Sequence, residues 1–292
     1  MSTKKGIRGF FSILILFSII LITACSQNDK TQPKLPSEAK ITRTDKNVEG
    51  VEREYNKAKY FGVSKRYAYS YFYQDGKETG GKLVEEISFN KKGEKVEHIK
   101  YSSKGYVDYR FIYTYSDDGL LQNMSSCDAD GRVLLSKSRT YDEQGRNTGI
   151  EEIDSVDIKR TTYQIMTYQD SLMVERIVED SNHDVSIVEK VVYDSLGYKI
   201  ASHKTEPNVG VMSVYYVHDD FGNITEIVAP YYKVVMTYDE RGNVINEELF
   251  STESRQHKFV YSYDDDGLLL NKIRYDLEEN MIFKMEFKYE FH

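Results

Sequence analysis

The stretch from Val234 to Phe250, VVMTYDERGNVINEELF, decides how the rest of the chain is read. It passes from strand-forming residues into Tyr238-Asp239-Glu240-Arg241-Gly242 and then back to strand formers. Val234, Met236 and Tyr238 recur at period two, which places them on one face of an extended ribbon. Asp239 is suited to turn its carboxylate onto the backbone N–H groups that follow, and Gly242 to supply the positive φ that closes a reversal without a Cβ clash. The five residues therefore end a strand and reverse the chain.

Three further copies say nearly the same thing: Tyr141-Asp142-Glu143-Gln144-Gly145, Tyr193-Asp194-Ser195-Leu196-Gly197 and Tyr263-Asp264-Asp265-Asp266-Gly267. Aligned on their glycines, the turns fall at Gly93, Gly119, Gly145, a degenerate Asp170-Ser171, Gly197, Gly222, Gly242 and Gly267. The step is close to 26 residues, with one shorter step of 20 before Gly242. Weaker turn signals lie between them, at Gly105, Gly131, Asp154, Asn182, Asn208, Pro230, Glu253 and Asn280 among others. A reversal about every 12 residues leaves strands of roughly eight to ten residues, the spacing of an antiparallel meander.

The residues between turns agree with this. Met281, Phe283, Met285, Phe287, Tyr289 and Phe291 share one face, and Ile282, Lys284, Glu286, Lys288, Glu290 and His292 the other. Tyr67, Tyr69, Tyr71 and Tyr73 alternate in the same way. The expectation is an all-β fold: an antiparallel β-hairpin repeat meander forming a curved or coiled single sheet with a tyrosine-rich inner face. Residues 281–291 are expected to be its closing strand.

Lys4, Lys5 and Arg8 precede an uncharged apolar run from Gly9 to Ala24, the layout of an export signal. The run ends in Ile22-Thr23-Ala24-Cys25, which resembles a bacterial lipobox. Residues 1–24 are expected to be a lipoprotein signal peptide, with Cys25 as the lipidated first residue of the mature chain. Residues 25–49 are polar, contain Pro33 and Pro36, and read as a flexible tether; residues 50–292 form the repeat domain. The expected address is the bacterial cell envelope, with the chain anchored to a membrane through acyl chains such as palmitate.

Removing residues 1–24 takes away three of 39 basic residues and no acids, leaving 36 against 47 and a net charge of −11. A phosphate backbone repels such a chain, so nucleic acid is not an expected partner. Lipidation of Cys25 leaves Cys127 alone, so no intrachain disulfide is expected, and Cys127 reads as a buried strand residue.

The four Tyr-Asp-x-x-Gly copies, Tyr141 to Arg146 above all, resemble the YD repeats of bacterial RHS and teneurin-like proteins. Tyr115-Ser116-Asp117-Asp118-Gly119 and His218-Asp219-Asp220-Phe221-Gly222 are looser copies, so the resemblance spans about residues 85–292. It implies a spiralling β-hairpin array, associated in that family with cell-surface contacts and carbohydrate binding. The chain is short beside the large shell-forming relatives and carries no Asp-Pro core motif. A small YD-repeat lipoprotein is the nearer comparison.

No paired cysteine, HExxH, GxSxG or Gly-rich phosphate loop occurs, and none of the six histidines lies within five residues of another. Neither a catalytic site, a metal site nor a cofactor is expected. The acidic turns lack EF-hand spacing and read as solvated turn chemistry. Tyr67, Tyr69, Tyr71 and Tyr73 are the most concentrated candidate binding surface, because a tyrosine offers a flat apolar face and a hydroxyl to a sugar or a protein. The expected function is a non-enzymatic, membrane-anchored binding or scaffold module that contacts a glycan or an envelope protein. An immunity protein neutralising a secreted toxin, an outer-membrane barrel and a hydrolase built from dispersed carboxylates are the competing readings.

Overall fold

The computed structural model describes residues 57–292, apart from residues 75, 157–159, 208 and 252–253 and the side chain of residue 160. Residues 1–24, Cys25 and most of the tether lie outside these. A helical turn at 57–61 leads into eighteen strands in chain order. They are β1 (Val63–Gln74), β2 (Lys77–Phe89), β3 (Lys95–Tyr101), β4 (Val107–Tyr115), β5 (Leu121–Cys127) and β6 (Val133–Tyr141). Next come β7 (Asn147–Asp154), β8 (Arg160–Gln169), β9 (Leu172–Asp180), β10 (Val185–Tyr193), β11 (Lys199–Glu206) and β12 (Gly210–His218). The last six are β13 (Ile224–Ala229), β14 (Tyr232–Tyr238), β15 (Val244–Ser251), β16 (Ser254–Tyr263), β17 (Leu269–Tyr275) and β18 (Met281–Phe291).

Every strand pairs antiparallel with its neighbours in sequence, and β18 returns to pair with β1 from Val63↔Phe291 to Phe72↔Phe283. The sheet is therefore a closed eighteen-stranded barrel, not the open, curved or coiled sheet that the repeat alone led us to expect. The physical reason is the edge. An open meander leaves two rows of unpaired N–H and C=O groups, and pairing the long first and last strands satisfies both. A ring of this many strands is wide enough to leave a lumen, and each strand packs mainly against its two ring neighbours.

The motif turns behave as their chemistry dictates. At Asp239 the backbone N–H bonds Asn243 O at 2.9 Å, the Gly242 N–H bonds Asp239 O at 3.0 Å, and Gly242 sits at φ 77°. This is a type I turn followed by a left-handed residue, the three-residue hairpin loop. Asp239 Oδ1 accepts from Arg241 N at 2.9 Å and Asn243 N at 2.8 Å, while Oδ2 takes the Asn243 amide at 2.9 Å. Asp239→Ala is expected to cost about 1–2 kcal/mol, because it removes acceptors that no water replaces with the same geometry; the shift of the urea-unfolding midpoint measures it.

Strand partners share a face, so the register sorts the side chains around the ring. Ala68, Ser70, Ile87, Ser126, Ile227, Val234, Met236 and Phe287 all fall on one wall, and all are buried. In a closed single-layer sheet that crowded wall is the concave one, and it faces the lumen. Cys127 is buried at the end of β5, on the opposite wall.

Candidate functional site

Nine strand ends meet on one rim, where β2, β4, β6, β8, β10, β12, β14, β16 and β18 finish. Tyrosines at these strand ends bond their hydroxyls to a carbonyl at the start of the adjacent strand. Tyr141 reaches Leu121 O at 2.6 Å, Tyr168 reaches Asn147 O at 2.7 Å and Tyr193 reaches Met173 O at 2.8 Å. Tyr263 reaches Val244 O at 2.9 Å and Tyr289 reaches Leu269 O at 3.0 Å. Burial pushes the Tyr141, Tyr168 and Tyr193 phenols up, Tyr193 to about 12, so these three remain hydrogen-bond donors across the biological pH range. The repeated tyrosine is thus a stitch between neighbouring strands, a role its spacing alone did not disclose.

The turns of this rim also overlap. A Cβ on Gly222 would stand 2.4 Å from the Tyr198 ring, and one on Gly119 would stand 3.2 Å from Glu94 Oε1. In both cases the residue just after one turn's glycine lies over the next turn's glycine. Cations reinforce the overlap: Lys92 Nζ donates to Asp117 O at 3.1 Å, and Arg146 and Arg241 donate to Asp170 O and Asp265 O. The helical turn 57–61 closes part of the mouth. Ala58 packs with Val63, Ile87, Phe89 and Leu268, and Lys57 Nζ donates to Gly267 O at 2.7 Å.

A shallow cavity of about 390 Å³ opens on this rim between Asn90, Lys92, Glu94, Tyr113, Tyr115 and Asp117. Glu94 is 3% exposed; its Oε2 accepts from the Asn90 amide at 2.5 Å, and Oε1 has no protein partner.

The inner wall carries ion pairs among its apolar residues. Arg66 and His98 converge on Glu85 at 2.7 and 3.0 Å; burial alone would raise that carboxyl, but the two partners outweigh it and hold it well below the usual carboxylate range. Lys137 pairs with Glu152 at 2.6 Å and Arg176 with Glu189 at 2.7 Å. On β15 to β17, Tyr261 donates to Glu247 at 2.9 Å, and Lys272 Nζ lies 4.2 Å from the Phe259 ring centroid. Burial pushes Glu247 up and Lys272 down, each opposed by the other's charge. Arg274 Nη2 sits 2.8 Å from His257 Nδ1, and burial together with that guanidinium lowers the imidazole's pKa. The contacting partners in these pairs are 13 to 19 positions apart in sequence and meet only through register.

The tyrosine ladder is on the other side. Tyr67, Tyr69 and Tyr71 oppose Lys288, Glu286 and Lys284 in β18, facing away from buried Ala68 and Ser70. The aromatic candidate surface is therefore on the outer wall, while the inner wall's aromatics are residues such as Phe111, Tyr216, Phe259 and Tyr261. Lys284 caps the Tyr71 ring at 4.4 Å and Lys288 the Tyr69 ring at 4.9 Å; Tyr67 bonds Glu290 at 3.1 Å and Tyr73 bonds Glu78. Among the described residues, no group of three or more His, Cys, Asp or Glu side chains converges as a metal site.

No family model matches the chain, and no curated protein does. Solved structures to which the chain shows similarity include a chain of the Photorhabdus luminescens Tc holotoxin pore, 14% identical with a TM-score of 0.35, matched over 72% of this chain and 13% of that one. A porin-like protein of Bacteroides vulgatus is 14% identical with a TM-score of 0.40, and one of Bacteroides uniformis is 10% identical with a TM-score of 0.38. Each of these two is matched over 78% of this chain and 98% of its own.

Proposed function

We propose that this chain is a non-enzymatic binding or scaffold lipoprotein of the YD-repeat kind, held at the bacterial envelope through Cys25, whose barrel contacts a glycan or an envelope protein. The observation that carries this reading is the outer wall. Lys284, Glu286 and Lys288 on β18, Lys258 on β16, Glu248 on β15, Lys233 on β14, Lys190 on β10, Glu151 on β7 and Arg110 on β4 share the wall opposite the buried one. A barrel that spans a membrane turns an apolar band to lipid. Charges on seven strands suit water or a polar partner better than lipid, which favours an anchored module standing clear of the bilayer over the outer-membrane reading. The rim cavity, with two tyrosines and an incompletely bonded carboxylate, is the kind of surface a hydroxyl-bearing ligand fits.

Cys25→Ser is expected to move the protein from the membrane fraction to the soluble fraction, where it stays monodisperse without detergent. The soluble form is expected to bind envelope glycans on an array or to retain an envelope protein in a pull-down. Continued membrane retention of Cys25→Ser, or silence against both partner classes, defeats the reading.

A further inference from the structure

We infer that the inner wall of β16 and β17 is a binding site for an oxyanion, a carboxylate, phosphate or sulfate group held between Lys272 and Arg274. The two cations are two residues apart on one strand, and the register places both on the lumen side: Lys272 opposes Tyr261 and Met285, and Arg274 opposes Phe259 and Phe283. Both are partly exposed to the lumen.

Their surroundings set them apart from other cations on the same wall. Arg66, Lys137 and Arg176 each have a carboxylate at 2.6–2.7 Å. Among the described residues, neither Lys272 nor Arg274 has one within ion-pair distance. Lys272 rests on the Phe259 and Tyr261 rings, at 4.2 and 5.2 Å, and the nearby Glu247 is bonded to the Tyr261 hydroxyl. Arg274 turns one nitrogen to His257, and its buried Nε has no partner. Holding two like charges side by side in a partly dry wall is costly, and an anion bridging them relieves that cost. The guanidinium fork offers paired N–H donors to a planar carboxylate or a tetrahedral oxyanion, and Phe283 and Met285 flank it with apolar surface for the ligand's body. Arg139 on β6 also has a buried nitrogen without a partner, but the cation beside it on that strand's inner face, Lys137, is already paired with Glu152 at 2.6 Å.

The test uses the full chain, with inorganic phosphate and glucuronate as probes and glucose as the neutral control. Both anions, and not glucose, are expected to bind saturably in calorimetry and to shift the His257 ring signals in NMR. Binding of phosphate without glucuronate identifies a free inorganic ion as the ligand, and stronger binding of glucuronate identifies an acidic sugar unit. Arg274→Gln and Lys272→Met are each expected to weaken binding at least tenfold. Lys137→Gln, which removes a cation already paired with Glu152, is expected to leave binding unchanged. Arg274→Lys keeps the charge without the fork, and is expected to retain part of the binding should Arg274→Gln disturb folding. Absence of saturable binding by either anion, or unchanged affinity in folded Arg274→Gln and Lys272→Met, overturns the proposal. Neither result touches the envelope-binding reading, which rests on the outer wall.

Discussion

Gly93→Ala is expected to lose about 3 kcal/mol of stability, while Gly145→Ala, at the same motif position, loses about 1 kcal/mol. Both glycines have left-handed backbones, at φ 81° and 76°, so an added Cβ strains each to a similar degree. Their surroundings differ. A Cβ at Gly145 meets the Leu120 methyls at 3.8–3.9 Å, ordinary van der Waals contact. At Gly93 it lands 2.5–2.6 Å from the backbone N and Cα of Lys59, which cannot swing aside as a side chain does. The helical turn 57–61 must then lift from the mouth, taking Ala58 and Phe61 off Val63, Ile87 and Phe89, and re-exposing an aromatic side chain costs on the order of 2 kcal/mol. Urea unfolding of the two variants measures the difference, and limited proteolysis within residues 57–62 reports the displaced turn in Gly93→Ala alone. Equal losses would show that this turn adds nothing to the barrel's stability.

The Tyr-Asp-x-x-Gly turns and the period-two strands between them were legible because their chemistry is local. An aspartate four residues from its last acceptor partner and a glycine in the left-handed region announce themselves wherever they occur. The turns at Asn182 and Asn280 gave only weaker signals, since the non-glycine residues His183, at φ 65°, and Glu279, at φ 63°, occupy the glycine place in them. His183 stacks on Tyr163 at 5.2 Å, and Glu279 pairs with Arg255 and Lys258, contacts that offset the backbone cost from outside the turn.

Closure was only half visible. The apolar face of residues 281–291 marked a strand with a partner, but that partner, β1, lies more than 200 residues earlier, and the hydrophobic pattern does not encode which distant edge meets which. The inner-wall charges were less visible still. Bulges occur at the motif ends of the strands, as between Tyr238 and Thr237 or Tyr263 and Ser262, and each shifts the pairing by a residue. A one-residue slip exchanges inner and outer walls, so no count along the chain pairs Arg66 with Glu85 or sets Lys272 beside Phe259. For the same reason the ladder Tyr67 to Tyr73 was recognisable as one face of a strand, but its side of the barrel was not.

Glu85→Gln is expected to cost about 3 kcal/mol, the second largest single effect, and to flatten the acid limb of the stability profile. The Glu85 carboxylate is the one acceptor toward which both Arg66 and His98 point, and the side chains of Glu85 and Arg66 are 18% and 20% exposed. Taking away its charge removes the carboxylate that the Arg66 guanidinium and His98 share on the inner wall, and breaking such a pair from one side is far more costly than never having built it. The same geometry fixes the pH dependence. The native carboxyl binds its proton less readily than the unfolded one, so its contribution is complete above the ordinary carboxylate range. That contribution is lost as the pH falls below this range toward the depressed native value. The wild-type chain should therefore weaken steadily below about pH 5, and the difference between it and Glu85→Gln should shrink over the same interval. Arg66→Met separates charge from packing: it removes the cation, leaves the carboxylate with His98 alone, and is expected to move the acid limb toward neutral pH. Unfolding by urea at a series of pH values decides the matter, and an acid limb identical in all three proteins would show that the Glu85 cluster is not what ties this barrel's stability to pH.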